Sequence, residues 1–142
     1  MKIAFEEAKK AEREGEVPIG SAIFLNGKLI SKAHNLRERK KRSTAHAEIL
    51  AIEKACKKLK SWRLEQCEIY VTLEPCLMCL GAIINSRIKK LVFGAFDSKS
   101  ETKTFLRSKD NSLNHNLIVE GGVMQEECSN LLKNFFKQAR EN

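Results

Sequence analysis

Two short motifs constrain how this chain can fold, because their chemistry requires them to meet in space. The first is His46-Ala47-Glu48 and the second is Pro75-Cys76-Leu77-Met78-Cys79, with a strand-like segment between them. Cys76 and Cys79 are three residues apart, a spacing that places both thiols on one face of a helix. With the imidazole of His46 they form a three-ligand zinc set that leaves a fourth position open, as in catalytic zinc sites. The fold must therefore bring two predicted helix starts together.

Taken together, the two motifs point to one class of reaction. Alone, His-x-Glu is common by chance, and Cys-x-x-C also suits redox or structural metal sites. In this order they match the signature of zinc-dependent nucleobase deaminases. Two thiolates neutralise the charge of zinc and weaken its effect on a bound water, so a base is needed. Glu48 is placed to take the water proton and return it to a ring nitrogen and the departing ammonia. The alternative to a catalytic site is a closed zinc site that only stabilises the fold, with His34 or Glu48 as the fourth ligand.

The hydrophobic pattern predicts an α/β chain, because strand-like and helix-like segments alternate. Asn26-Gly27 between two apolar runs predicts a β-hairpin. After it the chain is aperiodic up to a helix N-cap at Ser43 or Thr44. The predicted helices are 2–14, 43–59 with Ile49, Ile52, Cys56 and Leu59 in the core, 76–86 with Pro75 at the first helical position, and 125–140. The predicted strands are 19–25, 28–33, 67–73, 88–93 and 117–119, and 95–116 is a long loop.

Composition narrows the class of protein further. A length of 142 residues with 42% hydrophobic side chains predicts one compact domain, residues 1–142. No long apolar run and no signal-peptide pattern occurs, so no membrane association and a cytoplasmic location are expected. Five cysteines, an odd number, favour metal binding over disulfides, with Cys56, Cys67 and Cys128 in the core. The formal net charge of +8 suits a polyanionic partner, although a lysine-rich surface without a ligand fits equally well.

Several further segments accompany the two motifs. They are Glu16-Val17-Pro18-Ile19-Gly20, Asn35, Val71-Thr72-Leu73-Glu74, Gly81-Ala82-Ile83-Ile84, Phe93-Gly94-Ala95 with Asp97 and Lys99, and Phe135-Phe136. With these segments the chain resembles the bacterial tRNA-specific adenosine deaminases of the TadA type, within the cytidine deaminase-like superfamily. The resemblance runs from about Met1 to Arg140.

This resemblance implies a specific activity and fold. The activity is conversion of adenosine to inosine, with release of ammonia, at the wobble position of a tRNA anticodon, usually of an arginine tRNA. The implied partner is the tRNA anticodon stem-loop, and the implied assembly is a homodimer with one zinc ion per chain. The implied fold is a three-layer α/β/α sandwich on a five-stranded mixed sheet. The implied residues are His46, Cys76 and Cys79 as zinc ligands, Glu48 as proton shuttle, Asn35 at the flipped nucleoside, Asp97 at the loop nucleotides, and Ala47, Lys99 and Phe136 as further substrate contacts.

Three features outside the motifs each have two interpretations. Residues 37–42 carry five positive charges, which either contact RNA phosphates or form a solvated loop. Phe135 and Phe136 lie about 100° apart on a helix, so either one is exposed and stacks on an RNA base or each belongs to a core stripe. His34 and His115 are expected to be loop or turn residues without a role.

One segment departs from the family pattern. The family usually follows its Asp-x-Lys with a glycine-rich run, whereas this chain reads Asp97-Ser98-Lys99-Ser100-Glu101-Thr102-Lys103. The loop beside the RNA is therefore expected to differ in shape.

Two other functions share the motif pair. A deaminase of free nucleobases or nucleotides, of guanine or cytosine type, has no need of a strongly basic surface. A non-enzymatic zinc module that binds RNA would not need Glu48.

Overall fold

A computed structural model describes residues 1–100, 102 and 116–141. Helices and strands alternate along these residues, as the hydrophobic pattern predicts. The helices are α1 (Lys2–Arg13), α2 (Arg37–Lys40), α3 (Ala47–Leu59), α4 (Leu77–Asn85) and α5 (Gln125–Glu141). The strands are β1 (Gly20–Leu25), β2 (Lys28–His34), β3 (Cys67–Leu73), β4 (Lys90–Ala95) and β5 (Ile118–Gly121).

The five strands form one mixed sheet in the order β2-β1-β3-β4-β5. β1 pairs antiparallel with β2 and with β3, whereas β3, β4 and β5 run parallel. The β1–β2 hairpin turns at Asn26 (φ 50°) and Gly27 (φ 78°), the left-handed pair that a tight hairpin requires. The parallel pair β3–β4 needs a crossover connection, and α4 provides it.

Helices cover both faces of the sheet and complete three layers. α1 and α5 pack on one face, where Phe5 joins Cys128 and Leu132 in a small apolar cluster. α3 and α4 pack on the other face over the main core. α1 lies so close to the sheet that a Cβ at Gly20 would stand 1.9 Å from the backbone oxygen of Ala4. The expected three-layer sandwich on a five-stranded mixed sheet is confirmed.

Four local predictions were wrong. The basic run contains α2, which was expected to be a loop, and α3 is capped by His46 rather than by Ser43 or Thr44. Pro75 precedes the N-cap of α4, Cys76, instead of being its first helical residue. The fully buried face of α3 is mostly alanine and leucine, while three residues assigned to the core are only half-buried. The buried apolar residues of α3 are Ala47, Leu50, Ala51, Ile52 and Ala55, and the half-buried ones are Ile49, Cys56 and Leu59.

The remaining expectations concern the long loop and the membrane. Ala95 belongs to β4, and residues 101 and 103–115, including His115, lie outside the described part of the chain. Within that part, no helix combines the length and the apolar character that crossing a membrane requires. Cys67 and Cys128 are buried, as expected, and Cys56 is half-buried.

Candidate metal centre

The two sequence motifs meet where the N-termini of α3 and α4 approach each other. His46 is the N-cap of α3 and Cys76 is the N-cap of α4, both with extended backbone. Neither side chain caps its own helix, so both are free to face the gap between the helices. Because helix N-termini carry partial positive charge, this position also favours thiolates.

The donor atoms of His46, Cys76 and Cys79 are spaced as a zinc ion requires. Among the described residues this is the group of three ligand-type side chains whose donor atoms all lie within 4.8 Å of one another. The Nδ1 atom of His46 is 3.7 Å from Sγ of Cys76 and 3.4 Å from Sγ of Cys79. Tetrahedral bonds of about 2.1 Å to nitrogen and about 2.3 Å to sulfur separate the two donors by about 3.6 Å. The residues present therefore fit zinc, although the roles of the individual ligands stay predictions.

The two thiols differ in environment. Cys76 is exposed and Cys79 is fully buried. Hydrogen bonds from Cys79 and His46 lower the pKa of Cys76 to about 4, whereas the neighbouring Cys76 sulfur and burial raise the pKa of Cys79. One thiolate is thus stabilised by the protein alone. A divalent cation between them would favour the second thiolate as well, because metal ligation requires the deprotonated form.

Glu48 lies beside this cluster in the first turn of α3. Its side chain is only 4% exposed, and burial raises the pKa of its carboxyl group to about 7. A carboxyl group with a pKa near neutrality can both accept and return a proton at physiological pH, which is the property that a proton shuttle needs. Glu48 is therefore a buried carboxyl group beside the cluster, and its role as proton shuttle stays a prediction.

A cavity of about 330 Å³ opens over Glu48 and His46. This volume lies within the range typical of small-ligand sites. Two predicted substrate residues, Asn35 and Ala47, line it, and Phe136 forms part of its rim. The cavity also contacts Glu16, Val17, Ile19, Arg37 and Glu38.

The other predicted substrate residues line a second cavity of about 460 Å³. Asp97 and Lys99 lie there, and Val17 and Phe136 form part of the walls of both cavities. Phe136 is 46% exposed, while Phe135 is half-buried, so of the two interpretations the structure favours the one with an exposed ring, and that ring is Phe136. The structure thus divides the five predicted substrate residues between two adjoining cavities.

The side chains of Asn35 and Asp97 make hydrogen bonds to the backbone that fix their positions. Nδ2 of Asn35 donates to the carbonyl of Val17, and its Oδ1 accepts the Arg37 backbone N–H. Oδ1 of Asp97 accepts the Lys99 backbone N–H.

The segment after Asp97 is tied to the metal centre by hydroxyl groups. Ser100 and Thr102 both donate to the carbonyl of Pro75, the residue before Cys76. These two hydroxyls stand in the segment that departs from the glycine-rich family pattern. Its described part is therefore held by side-chain hydrogen bonds that glycine could not make.

Sequence reasoning missed several residues of the site. Glu16 and Arg37 line the first cavity. In the sequence, Glu16 is only part of a segment that resembles the family, and Arg37 is only one of five positive charges in the basic run. Glu74 is buried and accepts the Asp97 backbone N–H at 3.0 Å. His34 is not part of the metal centre, because its ring nitrogens lie 3.3 Å from Glu7 and 2.9 Å from Glu14.

Comparison with known proteins places this geometry among deaminases. Residues 1–140 match the family model described as MafB19-like deaminase. A tRNA-specific adenosine deaminase of Bacillus subtilis (strain 168) is 52% identical over 143 residues, covering 99% of this chain and 89% of the relative. A structure from studies of A-to-I editing by tRNA:A34 deaminases at the wobble position of transfer RNA has a TM-score of 0.86 and 37% identity, covering 93% of this chain and 97% of that one. A guanine deaminase from Nitrosomonas europaea has a TM-score of 0.78 and 25% identity, covering 94% and 81%.

Proposed function

This chain belongs to the MafB19-like deaminase family and, within it, to the tRNA-specific adenosine deaminases, and we propose that its substrate is the wobble adenosine of an arginine tRNA. It converts adenosine to inosine in tRNA. We further propose that residues 1–142 form a single zinc-dependent domain acting on the anticodon stem-loop in the cytoplasm, where tRNA is found. The observation that carries the proposal is the buried carboxyl group of Glu48, which lies at a cavity beside three side chains placed to bind a metal ion, His46, Cys76 and Cys79.

The chemistry divides between the metal and Glu48. Zinc held by His46, Cys76 and Cys79 would supply Lewis-acid activation of a water molecule, which makes water nucleophilic at neutral pH. Glu48 takes one proton from the attacking water and delivers it to a purine ring nitrogen; it then takes the remaining hydroxyl proton, as the carbonyl forms, and delivers it to the leaving ammonia. Its buried position, beside the helix N-terminus, keeps each proton away from bulk solvent during its transfer.

The two cavities suit a nucleotide that is turned out of its RNA. We propose that the target base enters the cavity over Glu48, where Asn35 and Ala47 contact it, and that neighbouring nucleotides occupy the cavity at Asp97 and Lys99. The exposed ring of Phe136, shared by both cavities, offers a surface on which an unstacked base can pack. A free base would occupy only the first cavity, so the second one favours a polynucleotide substrate.

The proposed substrate can be identified in one experiment. Purified protein is incubated with total tRNA, and the anticodons are sequenced, because inosine is read as guanosine. We expect adenosine-to-guanosine changes confined to the wobble position of an arginine tRNA. Changes at other positions, or conversion of free guanine or cytosine with no change in any tRNA, would contradict the proposal.

We also propose that the protein acts as a homodimer. The family resemblance supports this assembly, and the first turn of α4 exposes two apolar side chains, Leu77 (45% exposed) and Met78 (39% exposed), beside Cys76. Light scattering is expected to give twice the chain mass of 16.1 kDa. Replacement of Leu77 and Met78 with glutamate should give monomers, since carboxylates are tolerated in a first helical turn but not in an apolar interface.

A matched control for this test is Trp62→Gln. Trp62 is 56% exposed and lies beyond the C-terminal end of α3, remote from α4's first turn. This variant should stay dimeric. A wild-type monomer at all concentrations, or dimers in the glutamate variant, would contradict the proposed assembly or its interface.

A further inference from the structure

A buried carboxylate holds the cavity wall that carries the basic residues. Glu16 is 1% exposed, its Oε1 accepts the Glu38 backbone N–H at 3.0 Å, and its Oε2 accepts the Arg39 backbone N–H at 2.8 Å. Hydrogen bonds to an ionised acceptor are about twice as strong as neutral ones. Both oxygens of Glu16 therefore accept backbone N–H groups of this segment.

The segment held by Glu16 cannot keep its shape by itself. α2 has four residues, far below the length at which an isolated helix is stable in water. Its N-cap, Leu36, provides no side-chain hydrogen bond. Asn35 accepts the first backbone N–H of α2, that of Arg37, and Glu16 accepts the next two from another part of the chain. Residues 37–42, here called the basic turn, are thereby fixed at the rim of the cavity, which Arg37 and Glu38 line.

The charges of the basic turn are largely directed to solvent. Arg39 pairs with Glu14 at 3.1 Å, and Arg37 has only a 4.0 Å contact with Glu38. Lys40, Lys41 and Arg42 are exposed, and none of them forms an ion pair with any other residue that the structure describes. These three unpaired cations follow Arg37 and Glu38, which line the cavity, on the same ordered segment. They fit a partner with regularly spaced negative charges, which is the chemistry of an RNA backbone.

We infer that Glu16 is a positioning residue for RNA binding: its carboxylate fixes the basic turn beside the cavity, and Lys40, Lys41 and Arg42 contact phosphates of the bound RNA. The inference rests on the proposed RNA substrate and adds the residues that hold the RNA outside the cavity. Glu16 acts through the backbone of the turn.

The first test is the salt dependence of RNA binding. Binding of a labelled anticodon stem-loop RNA is measured by fluorescence anisotropy in the Glu48→Ala background, so that the RNA is not consumed. Each phosphate contact with single-stranded RNA contributes about 0.7 to the slope of log affinity against log salt concentration. The variant Lys40→Gln, Lys41→Asn, Arg42→Gln should flatten this slope by about 2, equivalent to about a 20-fold smaller loss of affinity between about 50 and about 200 mM salt.

A matched control separates the basic turn from net charge. Lys57→Gln, Lys58→Gln, Lys60→Asn removes three exposed positive charges from the far end of α3. Lys60 (φ 53°) matches Lys41 (φ 50°) in its left-handed backbone, which asparagine tolerates in both variants. This control should keep the wild-type slope, and an equal flattening in both triple variants would overturn the inference.

The role of Glu16 is tested by combining variants. Glu16→Ala alone should flatten the slope, Glu16→Gln should do so less because one acceptor oxygen is kept, and Glu16→Ala added to the basic-turn variant should have no further effect. If the changes in slope caused by Glu16→Ala and by the basic-turn variant simply added in the combined variant, Glu16 would not act through the turn. If Glu16→Ala fails to fold, the same comparison with Glu16→Gln decides the matter.

Glu7→Gln tests whether loss of any buried carboxylate has this effect. Glu7 is 4% exposed on α1 and pairs with Lys10 and His34 outside the cavity, so its replacement should leave the slope unchanged. Inosine formation by the unsubstituted protein is measured separately. Its absence would contradict the proposed function, whereas a wild-type slope in the basic-turn variant would contradict only the present inference.

Discussion

Replacement of Glu48 with alanine is expected to lower the rate of inosine formation by at least about 10²- to 10⁴-fold, the usual contribution of a general acid–base group. Glu48 is the buried carboxyl group beside the His46–Cys76–Cys79 cluster, and burial has already raised its pKa to about 7. The measurement is single-turnover conversion of an anticodon stem-loop, with zinc content and thermal melting recorded on the same preparation.

The matched control for this experiment is Glu53→Gln. Glu53 lies on the same helix as Glu48 but is exposed to solvent on the outer side, so this variant should convert RNA at the wild-type rate. Glu48→Gln keeps the size of the side chain but removes the group that accepts and releases a proton. This variant should therefore be as inactive as Glu48→Ala. Full activity of Glu48→Ala with zinc retained would show that another group carries the proton.

The clustering of His46, Cys76 and Cys79 could be predicted from sequence because the spacing of the two cysteines is a local property. Cys76 and Cys79 share a helix face by periodicity alone, and their pairing with His46 follows from the order of the motifs. The wall of the cavity could not be predicted in this way. Two backbone N–H groups of α2 donate to Glu16, which lies more than twenty positions earlier in the chain. No residue within α2 indicates that these groups have so distant a partner.

Local propensity also misplaced the start of α3. Ser43 and Thr44 are good N-caps by residue type, yet α3 begins after His46, whose ring is directed to Cys76 and Cys79 rather than to the helix amides. The buried face was misjudged for a related reason. Ala47, Ala51 and Ala55 carry little weight in a hydrophobic pattern, but small side chains are what allow a helix to lie close to a sheet and to a neighbouring helix.

Loss of one sulfur ligand is expected to remove the metal and with it all activity. We expect one zinc ion per chain by elemental analysis of the wild-type protein and close to none in Cys76→Ser. Loss of an outer-shell partner alone costs about 10- to 100-fold in metal affinity, so loss of a direct ligand should cost more. Inosine formation should fall to the uncatalysed level, because Glu48 then has no activated water from which to take a proton.

Cys56→Ser is the control that separates metal binding from loss of a thiol. Cys56 is half-buried at the far end of α3, away from the cluster, and its variant should keep both zinc and activity. Cys76 is exposed, so serine at this position leaves no cavity in the core, and circular dichroism should show the wild-type helix and strand content. If Cys76→Ser kept a full zinc ion, the metal would be held by other residues, and the geometry of His46, Cys76 and Cys79 would have to serve another purpose.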